Sequence, residues 1–125
     1  MTEKKMKKQF GVWIDTHQAT IVGRADANST AFTVLGIAGD AGADPSEKTK
    51  HHDKSPHLQH RFFKEILFYM HNAEEVHLTG TGTSQEQLIH YMADTPQFKD
   101  TVTKESTSNK MSDENLAAYI SAKFN

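Results

Sequence analysis

The chain has 125 residues, with 14 Lys and Arg against 16 Asp and Glu for a formal net charge of −2, and it contains no Cys. Its length suits one domain, since domains cluster near about 100–150 residues, and suffices for a core without covalent staples. The missing Cys excludes disulfides, thiolate metal sites and cysteine nucleophiles. The near-zero charge balance lacks the basic excess of a bulk nucleic-acid binder.

The longest apolar run, Ile66 to Met70, falls far short of the ~20 residues that span a bilayer. No apolar segment follows the start in the manner of a signal peptide, so a soluble cytoplasmic protein with no membrane partner is expected. Protonating all eight His would carry the net charge from −2 to +6, which makes the field sensitive to pH near neutrality. Hydrophobic content of 36% is low for a packed domain and points to a long polar loop or tail.

Residues 1–9 form a basic arm, with Lys4, Lys5, Lys7 and Lys8 against Glu3. Such an arm is either a frayed terminus or an electrostatic tether to phosphates. Residues 10–125 then read as one domain. Phe10 to Asp15 alternates as a strand, and Ala19 to Ala25 follows across a hairpin at Thr16-His17-Gln18. Ala31 to Leu35 is a third strand, which completes an antiparallel meander. Gly36 to Ser55 holds little apolar content and reads as a long polar loop, with 40–55 its functional stretch.

Ser55-Pro56 is an N-cap with proline at the first helical position. Leu58, Phe62, Ile66 and Met70 then recur at helical spacing to about Asn72. Val76 to Thr79 is a short strand opening into Gly80-Thr81-Gly82-Thr83. Ser84 with Gln87 three residues on predicts a capping box for the next helix, which Thr95-Pro96 ends. Thr101 to Glu105 is β-prone. Ser112 caps a last helix carrying Leu116, Ile120 and Phe124. The order βββ-α-β-α-β-α predicts a single α/β domain with a mixed five-stranded sheet, the arrangement of ribonuclease-H-like folds.

Four constellations are candidates for chemistry. Asp15, at the end of the first strand, stands where ribonuclease-H-like nucleases bind a catalytic metal, with Glu75 and Glu105 at strand margins. Its plain role is to close the hairpin turn. His51, His52, His57 and His60 lie close in sequence but lack a diagnostic ligand spacing, so a His-loop metal module is an alternative only. Along the polar side of the first helix, His57, His60, Arg61, Lys64 and His71 form a basic stripe continuous with Lys54 of the loop, suited to phosphate contacts. Last, Gly80, Gly82 and Ser84 form a strand-to-helix turn of the kind that binds anions, without the Lys of a P-loop. No nucleophile elbow, zinc-protease helix or cofactor fingerprint is present; no catalytic residue, resident metal, cofactor or small-molecule substrate is assigned.

Several blocks resemble one family. Gly11 to Val22 (GVWIDTHQATIV) resembles the "GVWIDHREAxIV" opening of small bacterial proteins labelled translational machinery components. His77 to Leu88 is similar to their "GPGEAKxxL" segment, with Thr81 in place of the proline and the lysine not kept. Met111 to Ile120 is similar to their closing "MTDxQIxAxV". That family resembles the ribonuclease-H-like middle domain of archaeal and eukaryotic class-1 peptide release factors. There a Gly-Gly-Gln loop is followed by Ser-x-x-Arg-Phe and a long helix; here Ser55-Pro56-His57-Leu58-Gln59-His60-Arg61-Phe62 stands at the equivalent place and Gly-Gly-Gln is absent. The resemblance implies a non-catalytic factor of rescue or hibernation type that binds the ribosome or its RNA. Lys54, His57, His60, Arg61 and Lys64 would make the contact, with the basic arm beside them. The alternative is a metal-dependent phosphodiesterase built on Asp15.

Overall fold

The computed structural model describes residues 8–15, 17–25, 31–39 and 56–124, with side chains from residue 61 onward in the last stretch. The loop 40–55, with Lys54, His51 and His52, the arm before Lys8, and the side chains of His57 and His60 lie outside the described residues. In chain order the elements are β1 (Gln9–Ile14), β2 (Gln18–Arg24), β3 (Phe32–Gly39), α1 (Pro56–Phe68), β4 (Glu75–Gly80), α2 (Thr83–Ala93), a 3-10 turn (Pro96–Phe98), β5 (Val102–Thr107) and α3 (Asp113–Phe124). The sheet runs β3-β2-β1-β4-β5. β1 pairs antiparallel with β2, and β2 with β3; β4 lies parallel to both β1 and β5. This is the ribonuclease-H-like α/β architecture that the order of elements predicts.

Alternation along the strands divides the sheet into two faces. Val12, Ile14, Ala19, Ile21, Val76 and Leu78 pack with Phe63, Ile66 and Leu67 of α1 and Leu88 and Met92 of α2. On the other face Trp13, Val22 and Phe32 pack with Leu116 and Ile120 of α3. Gly11 lies beneath Ile120, where a Cβ would come within 2.3 Å of that side chain. α3 packs over β1, β2 and β3, so among the described residues the second face is covered less fully toward β4 and β5.

Four boundaries differ from the sequence-based expectation by two residues or more. β3 continues past Leu35 to Gly39, because Gly36 leaves room for the Tyr69 ring and Leu35 is the extra residue of a bulge opposite Ile21 and Val22. α1 ends at Phe68 rather than Asn72, and Asn72 takes a left-handed φ of 57°. α2 begins at Thr83 with Gly82 as its N-cap, so Gln85 rather than Gln87 is the N3 residue. β5 extends to Thr107. Ser112 does cap α3, its Oγ accepting the Asn115 N–H at 3.1 Å.

Candidate functional site

α1 buries Phe63, Ile66 and Leu67, and the residues between them must face outward. Arg61, Lys64, Glu65 and Phe68 are all exposed. They follow at intervals of three, one and three, so they share one outward stripe. Phe68 keeps 68% of its surface in solvent. Its ring meets Tyr69 edge-on at 5.6 Å and His71 at 6.2 Å. His71 therefore belongs to the edge of this patch, beyond the helix end, and not to the helix itself. An exposed aromatic beside two exposed cations suits a nucleic acid: cations meet phosphates and the ring offers a face for a base. Phe68 escaped the sequence reading because it lies inside an apolar run; its place between the buried Leu67 and the half-buried Tyr69 is set by the helix turn.

At the β1–β2 hairpin, Asp15 Oδ1 accepts the N–H groups of His17 at 2.7 Å and Gln18 at 2.8 Å. The carboxylate thus closes the turn in the manner of an Asx motif. Glu75 Oε1 accepts from the Gln9 side-chain amide, and Glu105 is exposed on β5. Among the described residues no three His, Cys, Asp or Glu side chains group as a metal site.

The Gly80–Ser84 turn is held from within. The Gln85 carboxamide accepts the Gly82 N–H at 2.8 Å and donates to the Ser106 carbonyl at 2.8 Å. Gln85 and Ser84 are buried. Gly80 runs against the Ile14 carbonyl, and Gly82 has a φ of 122° that favours glycine. Both glycines have a structural cause at this turn, and one of its amides is already bonded.

Beside that turn lies a cluster that the sequence reading missed. Ser106 Oγ on β5 is 2.9 Å from His77 Nε2, 2.8 Å from Tyr119 Oη and 3.0 Å from Thr79 Oγ1, to which it donates. Thr79 Oγ1 is in turn 2.7 Å from Ser108 Oγ. Ser106 has one proton, given to Thr79, so His77 Nε2–H and the Tyr119 hydroxyl both donate to it. Burial lowers the His77 pKa from its ordinary 6.5, and Lys123 and Lys104 lower it further. Alternation in β4 places His77 and Thr79 together on the face opposite Val76 and Leu78, but nothing in the sequence brings Ser106 and Tyr119 to them.

A pH dependence follows from His77. The unfolded chain takes up a proton near pH 6.5 while the folded chain resists it, so the stability contributed by the neutral ring is present above that pH and declines as pH falls through the lowered value. Urea midpoints measured from pH 8 to 5 should fall more steeply in the native chain than in His77→Gln. Parallel curves would show that another group carries the acid sensitivity.

No protein-family model matches the chain, and no curated protein matches it in sequence. Solved structures match it in fold. The Pelota protein of Thermoplasma acidophilum superposes with a TM-score of 0.59 at 15% identity, covering 94% of this chain and 32% of that one. An archaeal translation termination factor, aRF1, gives 0.56 at 15% identity, covering 93% and 34%. Pelota of Archaeoglobus fulgidus gives 0.56 at 10% identity, covering 98% and 35%. The chain thus spans about a third of the length of each, and at these identities the likeness is one of fold.

Proposed function

We propose that the protein is a non-catalytic accessory factor of the translation apparatus, a relative of release-factor middle domains that binds the ribosome or its RNA in the cytoplasm. The observation that carries this reading is the near-complete coverage of the chain by one third of a translation termination factor and of two Pelota proteins. The outward stripe of α1 supports it with a suitable surface: Arg61 and Lys64 for phosphates and Phe68 for a base. Lys54, His57 and His60 would extend the contact toward the loop. With Gly-Gly-Gln absent from the sequence, peptidyl-tRNA hydrolysis is not part of the proposal. A rescue or hibernation role is the form the proposal takes.

Fluorescence anisotropy with a labelled ribosomal RNA fragment, read over a salt series, tests the surface. Arg61→Ala with Lys64→Ala should weaken binding about tenfold at low salt and flatten the plot of log K against log salt by about 1.4–1.8, the share of two phosphate contacts. Phe68→Ala should cost about 1–2 kcal/mol with the salt slope unchanged, because stacking releases no counterion. Binding by the double variant equal to that of the native chain would remove α1 from the interface.

A further inference from the structure

Among the described residues α3 is what covers the second sheet face, and a groove of about 460 Å³ lies between its end and strands β4 and β5. That volume falls in the range of small-ligand sites, about 300–1,000 Å³. Lys104 from β5 and Lys123 from α3 both line it, and both lie near enough to His77 to disfavour its charge. Neither lysine has a carboxylate partner among the described residues; Lys123 rests over the Tyr119 ring at 5.0 Å. His77 lines the groove although only 7% of its surface is exposed. Its Nε2 is committed to Ser106, and Nδ1 has no hydrogen-bond partner among the described residues.

Two carboxylates also line the groove, and their placement limits their effect. Glu75 accepts the Gln9 amide, and Gln9 in turn accepts from Arg24, whose charge opposes that of Glu75. Glu105 is in register with Leu78, a residue of the opposite core, so its side chain alternates away from Lys104. Among the described residues, two lysines with no anionic partner, from separate elements, thus converge on a buried imidazole whose Nδ1 is unpaired.

We propose that this groove binds a phosphate monoester, its oxygens on Lys104 and Lys123 and its remaining proton shared with Nδ1 of His77. The donor set explains the class. Two ammonium groups suit an oxyanion, and with Nε2–H given to Ser106, Nδ1 is an acceptor that asks for a ligand bearing an acidic proton. A phosphate monoester near neutrality has such a proton, whereas sulfate does not. The groove and the α1 stripe lie on opposite faces of the sheet, so the two sites stand or fall separately.

Nuclear magnetic resonance titration of the whole chain tests this, following the His77 ring and the backbone amides of β4 and β5 at constant ionic strength. The probes are inorganic phosphate, AMP, sulfate, and RNA trinucleotides with a 5′-phosphate or a 5′-hydroxyl. Saturable shifts at His77 with phosphate or AMP, weaker with sulfate, and a rise in the His77 pKa on saturation are expected. Lys104→Gln and Lys123→Gln should each weaken binding about tenfold, with native spectra in the rest of the sheet. Preference for the phosphorylated trinucleotide over AMP would assign the phosphate to a strand end, and the reverse to a free nucleotide. Shifts that fail to saturate at millimolar probe, or an affinity unchanged in the double lysine variant, would overturn the proposal.

Discussion

Gly80→Ala should destabilise the domain by about 3 kcal/mol, at the upper end of what a single methyl forced into a packed position costs. A Cβ at Gly80 would stand 2.0 Å from the Ile14 carbonyl oxygen. That neighbour is backbone, and it belongs to the strand paired with Gly80 in the parallel ladder. No rotamer change relieves the clash; β1 and β4 must separate at the end where the hairpin, the strand-to-helix turn and the hydroxyl cluster meet. Gly82→Ala is the control. It has open space around its Cβ but a φ of 122°, so its cost is that of a strained backbone, about 1–2 kcal/mol. Chemical denaturation of both variants separates the two causes: comparable losses would mean that the β1–β4 contact at Gly80 is looser than described.

Leu78→Ala should cost about 3–4 kcal/mol, through lost burial and the cavity left behind. Leu78 is fully buried on the interior strand β4, between β1 and β5, among residues of both helices on its face. Domains of this size are stable by about 5–15 kcal/mol, so a loss of that order lowers the midpoint steeply. Val102→Ala, on the β5 edge where the side chain is 48% exposed, should change the midpoint by a few tenths of that. A small effect at Leu78 would indicate that α1 and α2 can collapse onto the sheet.

The first sheet face was legible in the sequence because its signal is periodic. Val12 and Ile14, Ala19 and Ile21, and Val76 and Leu78 alternate, and Ile66 and Met70 recur at helical spacing, so burial on that face is written in the pattern. The second half of β3 was not, because Gly36 and Gly39 read as loop residues when one makes room for Tyr69 and the other takes a φ of 125° at the strand end. The helix start at Gly82 was displaced by two residues because Ser84-Gln87 and Gly82-Gln85 offer the same spacing, and only the fold shows Ser84 buried.

The candidate sites divide in the same way. Arg61 and Lys64 could be placed outward from helical period alone. Asp15 could be read as a turn residue from its position between two strands, and its two bonds to backbone amides agree with that role. The hydroxyl cluster could not be read, since it joins β4, β5 and α3 across as many as 42 positions of sequence. Single Ser, Thr and Tyr residues carry no motif of their own; Ser106 and Ser108 fell beyond the expected end of β5, and Tyr119 lies beside the apolar row of Leu116 and Ile120.

The most direct test of an association with the translation apparatus is sedimentation of the tagged chain in sucrose gradients of lysates from growing and starved cells, at low and moderate salt. The protein is expected to migrate with ribosomal particles at low salt, to shift toward the top as salt rises, and to leave the particles when Arg61 and Lys64 are replaced by Ala. Protein confined to the top of the gradient in every lysate, at every salt concentration, would contradict it.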